Sequence, residues 1–229
     1  MEETGFLSRA RSALQRYRES SHWAVALSRE ILWLVAVVGG IALGLYLACG
    51  TWPAVVAVES ESMLPHMQVG DLVVVVAKDR FGEVRTLSEG AATGYEKFGM
   101  NGDVIVYRPN GAGTVHPVIH RAMRYEENVT SFQGHDFANP HGGYLTKGDH
   151  NQLYDQGTYY PGIGYLEPVR EEWVVGKALF SVPLLGYPTL HYVEFAAVVI
   201  VLMILYELWT GRTEKAAPLA GKKPRRKKR

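Results

Sequence analysis

The sequence of 229 residues predicts a mainly β domain between two transmembrane helices. Three observations predict this class. Two long apolar runs flank the middle of the chain, the middle holds short segments rich in β-branched residues, and charge is sorted along the chain. The 47% hydrophobic content excludes a disordered or collagen-like chain. The single cysteine, Cys49, excludes an intramolecular disulfide and a Cys-rich zinc module.

The first apolar run covers residues 31–48 and contains no charged or strongly polar side chain. A helix rises about 1.5 Å per residue, so a run of this length can cross a hydrocarbon core of roughly 30 Å. We expect a transmembrane helix over residues 31–49, after a cytoplasmic N-terminal segment of residues 1–30. A cleavable signal peptide is the poorer interpretation, because the run is longer than a usual signal-peptide core and starts far from the N-terminus.

The second apolar run, Val193–Trp209, is interrupted by Glu194 and Glu207 only. Both acids lie near its ends, where a carboxylate can reach the headgroups. The run predicts a transmembrane helix over residues 190–210. The alternative interpretation is a buried amphipathic helix of the same domain.

Basic residues lie outside the two apolar runs on both sides. Residues 211–229 hold nine Lys and Arg and one acid, whereas residues 50–189 hold ten Lys and Arg and sixteen acids. Arginines also precede the first run: Arg9, Arg11, Arg16, Arg18 and Arg29. The positive-inside rule therefore predicts cytoplasmic termini and an extracytoplasmic domain over residues 50–186. The tail 211–229 is interpreted as a topology determinant that contacts anionic lipid, not as a nucleic-acid site.

The extracytoplasmic segment favours strands, because its short β-branched runs are bounded by Gly, Pro, Asn or Asp and lack helical periodicity. The predicted strands are Leu72–Ala77, Val104–Tyr107, Val118–Tyr125, Val129–Phe132 and Trp173–Leu179. Residues 79–102 contain five glycines and are predicted to form an insertion loop. Residues 134–143 and 156–168 are also predicted to be loops.

A serine-rich turn follows the first apolar run at residues 60–65, Ser-Glu-Ser-Met-Leu-Pro. A nucleophilic serine needs a restrained, irregular backbone that directs its hydroxyl and nearby N–H groups at one carbonyl. Pro65 restricts the chain just beyond Ser62. Ser60 supplies a second hydroxyl for the developing oxyanion. A lone Ser-Met dipeptide is better explained by an ordinary polar turn between membrane and sheet.

A base and an acid for such a serine occur later in the chain. His120 lies in an apolar strand, and a free imidazole has a pKa of about 6.5, which suits a general base. Asp149 or Asp155 can accept a hydrogen bond from His120 and fix its tautomer. The alternatives are a hydrogen-bonded core histidine and local turn chemistry around Gly148.

Taken together and in this order, these elements resemble the membrane-bound type I signal peptidases. The branch is the archaeal and endoplasmic-reticulum type, in which His replaces the Lys base of the bacterial enzymes. The motifs that carry the resemblance are SESMLP, GDVIVYRP, VIHR, YLTKGDHNQLYD and EWVVGKA, between residues 60 and 178. The resemblance implies a mostly β catalytic fold with a shallow groove.

The resemblance also implies residue roles. Ser62 is expected to be the nucleophile and His120 the general base, with Ser60 and the Ser62 amide in the oxyanion hole. Asp155 and Asp149 match the two functional acids of the family, and we favour Asp155 as the partner of His120. Met63 is expected to bind substrate or dip into lipid, with plain core packing as the alternative.

The function implied is a membrane-bound serine endopeptidase that removes signal peptides from exported preproteins. The expected partners are the lipid bilayer and preproteins that emerge from the translocation machinery. The active site is expected on the extracytoplasmic side of the cell membrane. No cofactor and no metal are expected. The sequence leaves open whether the chain acts alone or in a membrane complex.

Three other interpretations of the sequence compete with this one. A regulatory or self-cleaving protease of the same fold would use a Ser–Lys pair and be soluble, so the two spans and His120 oppose it. Lys147 as a bacterial-style base is opposed by its place near Asp149, outside the strand that follows GDVIVYRP. A metal site at His116 and His120 is opposed by Pro117, which disfavours a helix there. A non-enzymatic, membrane-anchored binding module would need no ordered Ser, His and Asp.

Overall fold

A computed structural model describes residues 11–12 and 15–215, the last five by their backbone alone. Two long helices, α1 (Trp23–Cys49) and α4 (Tyr192–Lys215), flank a mainly β domain in this part of the chain. Two short helices, α2 (Leu87–Thr93) and α3 (Tyr187–Leu190), lie between them. The predicted fold class is therefore confirmed.

Both long helices are candidate membrane spans. The windows within Trp23–Cys49 and Tyr192–Thr210 have mean hydropathies of 2.4 and 2.0, and none of their side chains is buried inside the protein. Apolar surface of this extent is unfavourable in water, so the helices need an apolar environment outside the chain. For the second helix this excludes the buried amphipathic alternative. Arg9 and the predicted tail from residue 216 onward lie outside the described residues.

The domain is built on one antiparallel sheet of six strands. Its order is β1-β2-β10-β5-β6-β7. These strands are β1 (Val55–Ala57), β2 (Leu72–Val76), β5 (Val104–Tyr107), β6 (Val118–Phe132), β7 (His135–Lys147) and β10 (Val174–Val182). Two small hairpins pair β3 (Glu96–Lys97) with β4 (Met100–Asn101) and β8 (Tyr159–Tyr160) with β9 (Gly164–Tyr165).

The core covers both faces of the central strand β5. Val104 and Val106 pack into one buried cluster with Val73, Val75 and other apolar residues. Ile105 and Tyr107 pack into a second cluster on the opposite face. A strand buried on both faces has a continuous apolar sequence, which explains the run VIVY.

The segment 79–102 is not the insertion loop that was predicted. It contains α2 and the β3–β4 hairpin. Thr86 begins the helix with a capping box, since its hydroxyl accepts from the Glu89 amide while the Glu89 carboxylate accepts from the Thr86 amide. Gly94 ends the helix in the left-handed conformation. One of the five glycines that suggested a loop therefore ends a helix.

The prediction was also wrong where two strands and a loop were expected at residues 118–143. The two strands form one strand, β6, whose register shifts at three points against β7. Residues 134–143, predicted as a loop, include the first part of β7. Gly142 lies so close to the Glu127 carbonyl that an added Cβ would be 2.5 Å from it. The pairing with β6 is a tertiary effect that strand propensity alone does not reveal.

Candidate active site

Ser62 lies in a single turn of 3₁₀ helix, Glu61–Met63, between β1 and β2. The turn directs neighbouring side chains in opposite directions. Met63 is 0% exposed and packs with Val58 and Met67 in the core. This burial of Met63 favours core packing, the alternative to contact with substrate or lipid. Its burial anchors the turn and leaves Ser62 at the surface of the domain.

His120 reaches Ser62 from β6. It pairs with Ile105 across the β5–β6 ladder, which places it in a regular, fixed strand. Its Nε2 atom is 2.9 Å from the Ser62 Oγ atom, although 58 residues separate them. The sheet thus brings together the two residues that the sequence suggested as nucleophile and base.

The other ring nitrogen of His120 contacts Asp155. Its Nδ1 is 2.7 Å from Asp155 Oδ2. The same oxygen accepts hydrogen bonds from the hydroxyls of Tyr107 at 2.9 Å and Thr146 at 2.6 Å. His120, Tyr107 and Thr146 lie on one face of neighbouring strands, because His120 pairs with Ile105 and Thr146 pairs with Ala122.

This network determines where the imidazole proton lies. A carboxylate only accepts hydrogen bonds, so His120 Nδ1 carries the proton and Nε2 is free to accept from the Ser62 hydroxyl. Burial raises the pKa of the Tyr107 phenol well above its ordinary value, and the charge of Asp155 raises it further. Tyr107 is therefore a permanent donor to Asp155.

A second hydroxyl lies beside the nucleophile. Ser60 Oγ is 3.2 Å from Ser62 Oγ. Ser60 precedes the 3₁₀ turn in an extended conformation. The turn thus presents two hydroxyls to one small volume.

Asp149 occupies a different environment. Its two oxygens accept a bidentate hydrogen-bond pair from Arg121, at 2.8 Å from Nε and 2.7 Å from Nη2. His66 Nδ1 is also 2.8 Å from Asp149 Oδ2. The Arg121 side chain is 0% exposed, and its Nη1 donates to carbonyls of the β3–β4 hairpin and to that of Gly102, which follows the hairpin, at 2.9 Å. The structure places Asp149 against an arginine and not against His120.

The turn that carries Asp149 also packs against the nucleophile. The His150 amide donates to the Ser62 carbonyl at 2.8 Å. A Cβ added to Gly148 would be 2.5 Å from the Ser62 carbonyl oxygen and 2.9 Å from His120 Nε2. Glycine is needed here because the backbone approaches both residues closely.

A groove of about 600 Å³ opens beside Ser62 and His120. Its walls are the strand β1 on one side and residues 116–119 on the other, and Thr189 and Leu190 of α3 contribute to its lining. Since β1 is a terminal strand of the sheet, one of its edges pairs with no other strand of the described residues. An extended peptide can pair with such an edge.

Lys147 and His116, the other two candidate residues, make different contacts. The Lys147 ammonium lies 5.9 Å from the centre of the Tyr154 ring, and His116 contacts Glu59. Among the described residues there is no group of three or more His, Cys, Asp or Glu placed to hold a metal ion.

Sequence reasoning missed four residues of the site: Tyr107, Thr146, Arg121 and His66. Tyr107 and Arg121 lie in strands that the sequence predicted, where a buried polar group needs a partner. Thr146 lies in β7, which the sequence did not predict. Arg121 follows His120 directly and so must face the opposite side of β6. His66 gave no such signal, because it follows a proline in an irregular segment.

Comparison with known proteins identifies similar chains, each described as the signal peptidase complex catalytic subunit SEC11. The one from Debaryomyces hansenii is 30% identical over 140 residues, 61% of this chain and 66% of that protein. The one from Eremothecium gossypii is 30% identical over 158 residues, 67% of this chain and 77% of that protein. The one from Komagataella phaffii is 30% identical over 151 residues, 66% and 73% of the two chains. No protein-family model matches the chain.

Proposed function

We propose a mechanism for this chain from the premise that it belongs to the signal peptidase I family, in the branch of the endoplasmic-reticulum enzymes. As a member, it is a membrane-associated serine endopeptidase that cleaves signal peptides. In our proposal Ser62 is the nucleophile, His120 the general base and Asp155 the residue that orients His120. The observation that carries the proposal is the continuous contact from Ser62 Oγ through the imidazole to Asp155, with distances of 2.9 and 2.7 Å.

The reaction begins with attack of Ser62 Oγ on the scissile carbonyl while His120 Nε2 takes the hydroxyl proton. The imidazolium that forms is stabilised by the Asp155 carboxylate. His120 then donates the proton to the leaving amine, and the acyl-enzyme forms. Water hydrolyses this ester with His120 again as the base, which releases the signal peptide and regenerates Ser62.

The oxyanion is stabilised by the Ser62 amide and the Ser60 hydroxyl. The proposal is supported by the 3.2 Å separation of the two serine oxygens, which lets Ser60 donate to an oxygen bound next to Ser62. Removal of one such donor commonly costs about 3 kcal/mol of transition-state stabilisation.

Asp155 is held in place by Tyr107 and Thr146. Both hydroxyls donate to the oxygen that faces His120. Gln156 in turn donates to Thr146 Oγ1 at 3.0 Å and accepts from the Thr146 amide at 2.8 Å. These contacts fix the carboxylate without a competing cation, so its charge is available to the imidazolium. Tyr107 and Thr146 are therefore positioning residues.

The substrate lies as an extended strand in the groove beside β1. Main-chain hydrogen bonds to the strand edge give affinity, and shallow pockets for alternate side chains select small residues before the cleaved bond. Such a mode fits the Ala-x-Ala pattern expected of signal peptides.

The proposed arrangement places residues 50–186 outside the cytoplasm, between spans at residues 31–49 and 190–210. Ser62 follows the end of α1 by thirteen residues, which even fully extended reach only about 45 Å. It therefore works close to the bilayer surface, where the apolar segment of a signal peptide ends. The substrates are preproteins that emerge from the translocation machinery.

The decisive experiment compares cleavage of one preprotein by wild type, Ser62→Ala and the matched control Ser131→Ala, with the full chain in lipid vesicles. Ser131 is an exposed serine on β6. We expect Ser62→Ala to lower the cleavage rate by a factor on the order of 10⁶ while it still binds the precursor, and the control to cleave normally. Cleavage by Ser62→Ala near the wild-type rate would remove Ser62 from the mechanism.

A further inference from the structure

A second cavity, of about 270 Å³, shares no lining residue with the groove beside Ser62. Three of its lining side chains are cationic: Arg80, Lys97 and Lys177. They face one carboxylate, that of Asp103. The rest of the lining is apolar or aromatic: Val76, Phe81, Tyr95, Ala178 and Leu179. The cavity therefore combines positive charge with an apolar floor.

Its position is fixed by contacts with the end of α1. The Arg80 guanidinium donates to the Leu47 carbonyl at 3.3 Å, in the last turn of that helix. The Ala77 amide donates to the Cys49 carbonyl at 2.8 Å, which ties the end of β2 to the same turn. Since α1 is the first candidate span, the cavity lies at the level where the chain leaves the membrane.

Two exposed aromatic residues also lie next to the end of α1 or at the cavity. Trp52, three residues after α1, is 58% exposed, and Phe81, at the rim of the cavity, is 75% exposed. Phe81 also has a φ of 62°, a left-handed conformation that is unfavourable for a residue with a Cβ. An exposed phenyl ring on a strained loop is unfavourable in water. The same ring is favourable in the boundary between lipid headgroups and acyl chains.

Lys177 makes the interior of the cavity suitable for an anion. The residue is 5% exposed, and its ammonium donates to the carbonyls of Gly82 at 2.7 Å and Glu83 at 3.3 Å. An ammonium has three donors, and the nearest carboxylate oxygen, on Asp103, is 3.8 Å away. Burial lowers the pKa of Lys177, and the charge of Asp103 offsets this in part. A bound anion would stabilise the charged form further.

Asp103 is one carboxylate against three cationic side chains, and its oxygens already accept hydrogen bonds from two neutral donors. It accepts from the Arg85 amide at 2.9 Å and from the Tyr95 hydroxyl at 2.8 Å. Arg80 and Lys97 each contact one backbone carbonyl, which positions their charges without neutralising them. The cavity thus retains an excess of positive charge.

We propose that this cavity binds the phosphate of a phospholipid headgroup. Arg80, Lys97 and Lys177 contact the phosphate oxygens, and the first carbons of the lipid lie against Phe81 and Leu179. The shared chemistry with free phosphate is the oxyanion, whereas the apolar floor and the place beside α1 favour the lipid. The site sets the height of the catalytic domain above the bilayer. It does not depend on the proposed mechanism, because lipid binding can be measured in the Ser62→Ala background.

The test measures the lipid retained by the full-length Ser62→Ala chain, purified from vesicles of equal phosphatidylglycerol and phosphatidylcholine. The variants are Lys97→Gln, Arg80→Gln and the charge-preserving Arg80→Lys. The matched control is Lys78→Gln, because Lys78 pairs with Glu171 outside this cavity. We expect Lys97→Gln and Arg80→Gln each to lower the retained phosphatidylglycerol about tenfold, the effect of one charge-assisted hydrogen bond.

The controls distinguish the source of the phosphate and guard against unfolding. Arg80→Lys and Lys78→Gln should retain lipid as the parent does, which would show that charge and not the helix contact of Arg80 is required. Equal retention by the parent and by both glutamine variants would overturn the proposal. Binding of inorganic phosphate to the detergent-purified parent that is lost in Lys97→Gln, together with equal retention of both phospholipids by the parent and Lys97→Gln, would overturn the assignment to lipid.

Discussion

Asp149 and Asp155 lie six residues apart and both have buried side chains, yet their surroundings are opposite in kind. Asp149 is held by the guanidinium of Arg121, a cation that does not titrate in proteins. Asp155 is held by two hydroxyls and by the ring of His120, none of which carries a fixed charge. The comparison separates a carboxylate whose charge is already compensated from one whose charge remains available.

The difference assigns distinct tasks to the two acids. A carboxylate paired with arginine stabilises the fold only as long as both partners stay in place, since a buried charge without a partner is costly. A carboxylate that faces a neutral imidazole stabilises the imidazolium that forms when the ring takes a proton. We therefore expect loss of Asp155 to change the cleavage rate and loss of Asp149 to change stability.

The largest effect on cleavage is expected for Asp155→Asn. Its amide can donate to His120, which favours the tautomer with the proton on Nε2, and that nitrogen can then no longer accept from Ser62. The kcat in vesicles should fall by about 10³–10⁴-fold, with little change in KM or in melting temperature. The control is Asp136→Asn, an exposed carboxylate on β7. A variant with more than about a tenth of the wild-type kcat would contradict the role of Asp155.

The sequence could suggest the members of the site but could not assign partners to both acids. Ser62 and His120 stand in distinctive local patterns, a polar turn and a polar residue in an apolar strand. Asp149 and Asp155 share one turn-rich segment, and their difference arises only from residues on other strands. Arg121 and Tyr107 are such residues, and they become neighbours of the acids only through the sheet.

The fold shows the same limit. The strand β5 was predicted with its observed ends, because its burial on both faces produces an uninterrupted apolar run. The first half of β7 was missed, because its side chains are mostly exposed and its stability comes from pairing with β6. Helix α2 was missed because it is short and depends on the cap at Thr86. Local patterns therefore predicted the buried elements and not the peripheral ones.

A second, smaller effect is expected for Gly148→Ala, which perturbs the contact of the turn before Asp149 with Ser62 and His120. The added Cβ would be 2.5 Å from the Ser62 carbonyl and 2.9 Å from His120 Nε2, so the turn must move. Displacement of a reacting group by about 1 Å can cost a factor of about 10² in kcat. Gly113→Ala is the control, because an added Cβ there meets no atom within 4 Å. Equal kcat values for the two variants would show that the turn at Gly148 does not position the nucleophile.

Tyr107→Phe should have a still smaller effect on cleavage. It removes one of two hydroxyls from Asp155 and leaves Thr146, so we expect a loss in kcat of about tenfold with an unchanged KM. Since burial raises the pKa of Tyr107 well above its ordinary value, the phenol stays protonated in neutral and mildly alkaline solution. The loss should therefore be the same factor at every pH assayed up to about 9. A loss that disappears at alkaline pH, or an equal loss in the buried control Tyr144→Phe, would contradict a positioning role.

Asp149→Asn should have the smallest effect on cleavage and the largest on stability. The substitution leaves the Arg121 guanidinium buried without its carboxylate, which commonly costs about 3–5 kcal/mol. For a chain of this size the melting temperature in detergent should fall by about 10 °C. The fraction that remains folded should still cleave within about threefold of the wild-type kcat, because Ser62, His120 and Asp155 keep their contacts. Arg121 also holds the β3–β4 hairpin, so protease sensitivity should rise first at residues 96–101. A loss in kcat per folded molecule as large as that of Asp155→Asn would show that the two acids act as one unit.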